Sequence, residues 1–248
     1  MRNLLLLAFT PLAAGCADGD TTSLDRFAAN GRVIALSGAG AGANNACFTC
    51  HGLDGRGNGA GAPRLAALDA GYLERQLEAY ADGRRYQAQM SWIAHELDAG
   101  ERKSVSLHYA GLPYRGSGAV PGERLRLYHQ GDPKRGLAAC ASCHGDRGQG
   151  SGAANPPLAG QPAAYLAEQL ELWRKAKRRN DPGDVMLRIS QRLTPAESRA
   201  LAVYSSGLPG HPPNPESPEA FPEARRGDPR NGVSGPPLHV PESARAGE

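Results

Sequence analysis

The chain is poor in large rings: aromatic residues make up 6% of its 248 positions, and methionine occurs three times, once as the first residue. A hydrophobic content of 40% with so few aromatics is thin for packing two small cores. No segment alternates apolar and polar residues, so no sheet is expected. The apolar stretch from Leu4 to Phe9 is too short to span a bilayer as a helix. No basic patch is interleaved with aromatics, which argues against nucleic acid as a partner. The formal charge of +3 is uneven, however. Residues 24–113 carry nine basic and nine acidic side chains, whereas residues 123–210 carry thirteen and eight, a bias toward acidic docking partners.

Cysteine is also scarce, and its placement is informative. Four of the five cysteines fall in two pentapeptides, Cys47-Phe48-Thr49-Cys50-His51 and Cys140-Ala141-Ser142-Cys143-His144. Each reads C-x-x-C-H, the attachment signature for c-type haem. Two thiols about one helical turn apart can each add to a vinyl group of one porphyrin. The histidine that follows can then offer a ring nitrogen to the iron as proximal ligand. Two such haems would also supply the flat apolar faces that the composition lacks. A zinc site built from two C-x-x-C pairs normally brings them within 15–20 residues. Here the equivalent cysteines are 93 apart (140 − 47), each with its own histidine. A thioredoxin-like dithiol needs a strand–helix context that neither site has.

The second motif opens a repeat of the first. At an offset of 93, Pro63 and Leu65 match Pro156 and Leu158, and Tyr72, Leu73, Gln76, Leu77 and Tyr80 match Tyr165, Leu166, Gln169, Leu170 and Trp173. After a three-residue insertion Met90 matches Met186, and both modules close on Gly-Leu-Pro. Residues 24–113 and 123–210 therefore read as tandem domains joined by a linker at 114–122. Each is expected to run helix, haem loop, helix, loop, helix. Leading helices are expected at 27–36 and 124–129, and helices with an apolar face at 72–80 and 165–173. Asp98 with Glu101, and Thr194 with Glu197, have the spacing of capping boxes that open the final helices.

The occupant of iron's sixth position separates electron transfer from catalysis. Met90 and Met186 lie 43 and 46 residues after the first cysteines of their motifs, in what reads as a loop before the final helix. A thioether there favours ferrous iron and blocks the position that peroxide would need. His95, His108, His129, His211 and His239 have no histidine counterparts in the repeat and read as surface residues. Pro63 and Pro156 are candidates to present a backbone carbonyl to the far ring nitrogen of the proximal histidine. The basic run Arg174-Lys175-Ala176-Lys177-Arg178-Arg179 reads most simply as a solvated helix end, and otherwise as a dock for an acidic partner or for haem propionates.

Residues 1–16 read as an export signal, with Arg2 before the apolar stretch and small residues at its exit. Leu12-Ala13-Ala14-Gly15-Cys16 resembles a bacterial lipobox, which implies lipidation and membrane anchoring through Cys16; ordinary cleavage near Ala17 is the alternative. Residues 211–248 hold nine prolines and few apolar residues, the composition of a disordered tail. Gly227-Asp228-Pro229-Arg230-Asn231-Gly232 echoes the stretch before the second motif, but no cysteine follows it.

With these residues in view, the chain resembles the diheme class I cytochromes c of the cytochrome c4 family. The likeness covers residues 24–210 and includes Cys-x-x-Cys-His-Gly and Pro-x-Leu-Ala in both modules. Ala67-Leu68 depart from the Gly160-Gln161 of the second module. The resemblance implies an all-α fold of two tandem class I cytochrome c domains about a pseudo-twofold axis. It implies two covalent haems ligated at Cys47/Cys50/His51/Met90 and Cys140/Cys143/His144/Met186. It also implies periplasmic transfer of single electrons between redox protein partners, often toward a terminal oxidase, and no turnover of a substrate. Rival readings are a cytochrome subunit of a dehydrogenase or reductase complex and a diheme peroxidase.

Overall fold

The computed structural model describes residues 23–59, 61–114 and 124–210. The expected export signal at residues 1–16, Cys16, most of the linker and the proline-rich tail lie outside them, as do His211 and His239. Among the described residues the architecture is helical, with three isolated β-bridges and no strand. No described helix is long and apolar enough to cross a membrane.

The first module contains α1 (Ser23–Ser37), the single turn α2 (Phe48–His51), α3 (Ala70–Ala81), α4 (Ala88–Glu96) and α5 (Ala99–Gly111). Helix α1 packs along α5. Gly31 permits their close approach, since a Cβ there would lie 2.0 Å from the Ser104 carbonyl oxygen. Helix α3 starts at Asp69, whose carboxylate accepts the Tyr72 N–H at 3.0 Å. Helix α5 opens with the expected capping box: Glu101 N–H donates to Asp98 at 2.8 Å and Asp98 N–H donates to Glu101 at 2.9 Å. Ile34, Leu68, Leu73, Ile93, Val105 and Tyr109 form much of the buried core beneath these helices.

The second module repeats the plan with α6 (Arg126–Gln130), α7 (Ala141–His144), α8 (Ala163–Arg174), α9 (Val185–Gln191) and α10 (Pro195–Ser206). Its capping box also forms, with Glu197 N–H donating to the Thr194 hydroxyl at 3.2 Å and Thr194 N–H to Glu197 at 2.9 Å. The leading helix is shorter here, and a ring replaces the tight crossing of α1. Tyr128 is fully buried, stands 5.4 Å from the Tyr204 ring, and donates its hydroxyl to the Gly145 carbonyl at 2.8 Å. Leu137, Ala159, Leu193, Leu201 and Leu208 complete this core.

Three expectations need correction. Met90 and Met186 sit in the first turns of α4 and α9, not in loops. Each first turn has its own side-chain acceptor: Gln87 takes the Met90 N–H and Asp181 takes the Met186 N–H, both at 2.7 Å. The three-residue insertion falls between Arg178 and Met186, where a 3-10 turn (Pro182–Asp184) leads into α9. His129 is not a surface residue: its side chain is 6% exposed and bonds Asp146 at 2.9 Å and the Tyr204 hydroxyl at 2.7 Å.

The basic run is the third correction, because it is not uniformly solvated. Helix α8 ends at Arg174, which with Lys175 pairs with Glu171. The chain then turns at Ala176 (φ 54°) and runs against the first module, where Arg179 N–H donates to the Arg84 carbonyl at 2.9 Å. This contact carries Arg178 into the interior. Arg85 and Arg178, equivalent at the offset of 93, face each other in an antiparallel bridge. An element that pairs with its own counterpart in this way has a local twofold relation. Elsewhere the interface is asymmetric. Gln161 accepts the Arg64 N–H at 3.0 Å and donates to the Arg64 carbonyl at 2.9 Å, whereas its counterpart Leu68 is core.

Candidate haem-binding sites

Each C-x-x-C-H motif folds as one helical turn. His51 N–H donates to the Cys47 carbonyl and His144 N–H to the Cys140 carbonyl, both at 2.9 Å. The turn brings two thiols and one imidazole to the same wall. His51 Nδ1 lies 2.9 Å from the Pro63 carbonyl oxygen, and His144 Nδ1 lies 2.8 Å from that of Pro156. A carbonyl only accepts, so each Nδ1 carries the proton and each Nε2 keeps its lone pair. Burial holds both rings below the usual histidine range, which favours the neutral form that can ligate a metal. The anticipated carbonyl contacts of Pro63 and Pro156 are therefore present.

No disulfide joins the four motif cysteines. Burial pushes Cys47 and Cys140 up to about 11, away from the thiolate that zinc binding or disulfide exchange would use. Among the described residues no group of three or more His, Cys, Asp or Glu side chains is arranged to hold a bare metal ion.

One continuous cavity of about 940 Å³ is lined by both motifs, by Pro63 and Pro156, and by Met90 and Met186. That volume is at the top of the range of roughly 300–1,000 Å³ for small-molecule sites. Leu68, Leu73, Ile93, Leu158 and Leu193 contribute apolar surface to it. The donor set suits haem on three counts: paired thiols one turn apart, a buried imidazole with its tautomer fixed, and a thioether on the same cavity. His95, His108 and His129 do not line the cavity.

Other residues of this cavity have no obvious role from sequence alone. Arg85, Arg178 and Gln169 are buried on its wall, beside the half-buried Gln76. The glutamines stand out in the repeat. The arginines share the same offset of 93, and that register is the signal that identifies them.

The family model described as Cytochrome c matches residues 37–105 and again 134–205. A thiosulfate dehydrogenase electron acceptor from Stutzerimonas stutzeri (strain A1501) is 40% identical over 193 residues, covering 75% of this chain and 89% of the relative. Cytochrome c4 from Thiocapsa roseopersicina is 36% identical over 172 residues, covering 67% of this chain and 88% of the relative. Among solved structures, thiosulfate dehydrogenase from Marichromatium purpuratum superposes with a TM-score of 0.67 at 36% identity. That match covers 80% of this chain but 44% of the longer neighbour. With both halves of the duplication matched, the chain belongs to the cytochrome c family, as a cytochrome c4-like diheme class I cytochrome with two covalently bound c-type haems.

Proposed function

We propose that this diheme electron carrier takes single electrons from a thiosulfate-oxidising dehydrogenase outside the cytoplasm and passes them to a further redox protein, without turning over a substrate itself. The observation that carries this reading is the 40% identity to a thiosulfate dehydrogenase electron acceptor along nearly that relative's full length. The haem irons supply the one-electron ferric/ferrous couple. Cys47 and Cys50, and Cys140 and Cys143, fix the two haems as thioethers. His51 and His144 would present Nε2 to the metal, with the Pro63 and Pro156 carbonyls holding the rings. Met90 and Met186, which line the same cavity, would offer soft thioether sulfur to the irons, a donor that favours the ferrous state.

The sequence also supports export through residues 1–16, with a lipid on Cys16 holding the carrier at a membrane surface. A second reading, a cytochrome that stays bound as a subunit of its dehydrogenase, draws on the likeness to part of the longer Marichromatium purpuratum chain.

Stopped-flow mixing of the oxidised diheme protein with purified thiosulfate dehydrogenase and thiosulfate tests the donor. Full reduction of both haems is expected, slowing as ionic strength rises because the second module is basic. A dehydrogenase that reduces another acceptor but leaves this protein oxidised would remove the proposed donor. Co-purification of the two proteins at a fixed ratio would favour the subunit reading.

A further inference from the structure

The peptide group between Pro63 and Arg64 is bonded at both ends. Its carbonyl accepts the His51 Nδ1–H at 2.9 Å, and its N–H donates to Gln161 Oε1 at 3.0 Å. Gln161 comes from the other module, and its side-chain N–H donates back to the Arg64 carbonyl at 2.9 Å. Both residues are buried, Arg64 at 2% exposure and Gln161 at 4%. The Arg64 guanidinium fixes the crossing. It donates to the Ala66 carbonyl in its own loop and to the Ala159 carbonyl, at 3.0 Å, in the loop that leads to Gln161. It also lies over the Tyr114 ring, 4.0 Å from the centroid.

The second module has no equivalent. At the offset of 93, Arg64 becomes Pro157, which carries no N–H, and Gln161 corresponds to Leu68, a core side chain. The Pro156 carbonyl still accepts the His144 Nδ1–H at 2.8 Å, but its peptide group has nothing to donate in turn. The chain of groups behind His51 therefore runs on into the other module, whereas the chain behind His144 stops at one carbonyl.

A planar, conjugated amide links the charge at its two ends. A hydrogen bond from its N–H draws electron density onto its oxygen, and bonds linked in this way strengthen one another by roughly 10–30%. A stronger acceptor at Nδ1 makes Nε2, the ligating nitrogen, more basic. A more strongly donating imidazole favours ferric over ferrous iron and lowers the potential.

We infer that Gln161 is a positioning residue for the proximal histidine of the opposite module: through the Pro63–Arg64 peptide it makes His51 a stronger donor and lowers the potential of the first haem alone. The inference rests on the reading of both motifs as haem sites.

The test uses the matured full-length protein and the near-isosteric variant Q161L. Pyridine haemochrome and visible spectra first establish two low-spin haems per chain in the unsubstituted protein. Failure there removes the haem reading and the inference with it; every later outcome bears on the inference alone. Redox titration then follows each haem by its own NMR-resolved methyl resonances. In Q161L the ferric-to-ferrous ratio at fixed potential should fall about threefold at the first haem, ~28 mV at ~59 mV per tenfold for a one-electron couple. At the second haem it should change by less than about 1.3-fold. In the ferrous state the His51 Nδ1–H proton resonance should move upfield, as a weakened hydrogen bond requires, while that of His144 stays in place. A merely structural role would act first on the second module, to whose loop Gln161 belongs. Equal shifts at both haems, a shift confined to the second, no shift at either, or an unmoved His51 resonance overturns the inference. If Q161L does not mature, Q161N decides. Its shorter amide cannot hold both backbone groups of Arg64, so a smaller rise confined to the first haem is expected, and an unchanged or evenly shared shift refutes the inference.

Discussion

Ala67 and Gly160 hold the same left-handed turn in the two modules, at φ 55° and φ 70°. Their N–H groups donate to carbonyls of the final helices, Ala67 to Tyr109 at 3.2 Å and Gly160 to Ser206 at 2.9 Å. The turn follows the Pro-x-Leu-Ala loop whose proline carbonyl holds the ring of the motif histidine, so it ties that loop to the last helix of its module. Only the second module has glycine there. The first accepts a Cβ clash of about 1–2 kcal/mol to keep the same conformation.

Relieving that clash should stabilise the protein. Ala67→Gly is expected to raise stability by about 0.5–1 kcal/mol, the steric gain being partly offset by a freer unfolded chain. Gly160→Ala should lose about 2–3 kcal/mol, because a Cβ there meets both the left-handed strain and the Tyr114 hydroxyl at 1.7 Å. Guanidinium unfolding of the two matured variants checks this, and equal midpoints for the two would contradict it.

The methionines should act one per haem. Both line the cavity and both have their backbone N–H anchored at the start of a helix. Met90→Ala should remove about half of the methionine–iron absorption band and lower one midpoint potential; Met186→Ala should remove the other half. Near-infrared absorption and a redox titration of each variant read this out. A full band in Met90→Ala would place the sixth ligand elsewhere.

Acid should loosen the start of the final helix in the second module. The Arg135 guanidinium, followed by the Thr194 backbone, pulls Glu197 from its ordinary value of 4.5 to about 2. A carboxylate held low in the folded state stabilises it above the ordinary value, and that contribution fades as pH falls toward the depressed one. Glu197→Gln should therefore be less stable than wild type at neutral pH, with the gap closing between about pH 4.5 and 2. The group is near the surface, so salt should also narrow the gap at neutral pH. Unfolding midpoints across that pH range measure it, and a constant gap would refute the assignment.

The local chemistry was legible from residue order. C-x-x-C-H can close a helical turn only with its two cysteines and histidine on one wall, and an offset of 93 carries that arrangement into the second module. The capping boxes were equally readable, since three-residue spacing suffices to satisfy the first N–H groups of a helix. The carbonyl role of Pro63 and Pro156 could be anticipated because a metal-binding imidazole needs an acceptor behind it.

The placement of the methionines on helices was not legible. It depends on Gln87 and Asp181 acting as side-chain acceptors at unequal distances before the methionine. The departure at Ala67-Leu68 acquired meaning only in three dimensions, where Leu68 fills a core while Gln161 crosses to Arg64. Arg178 is the sharpest case. Its neighbours in sequence are charged and exposed, and local pattern assigns it to solvent with them. Only the return of the chain at Ala176, pressed against residues 84–85 of the other module, takes it inside. Sequence alone determined what each module can bind, because that chemistry is contained within a few successive residues. Tertiary structure decided how the two sites share an interior, because burial of Arg85 and Arg178 depends on surfaces 93 residues apart.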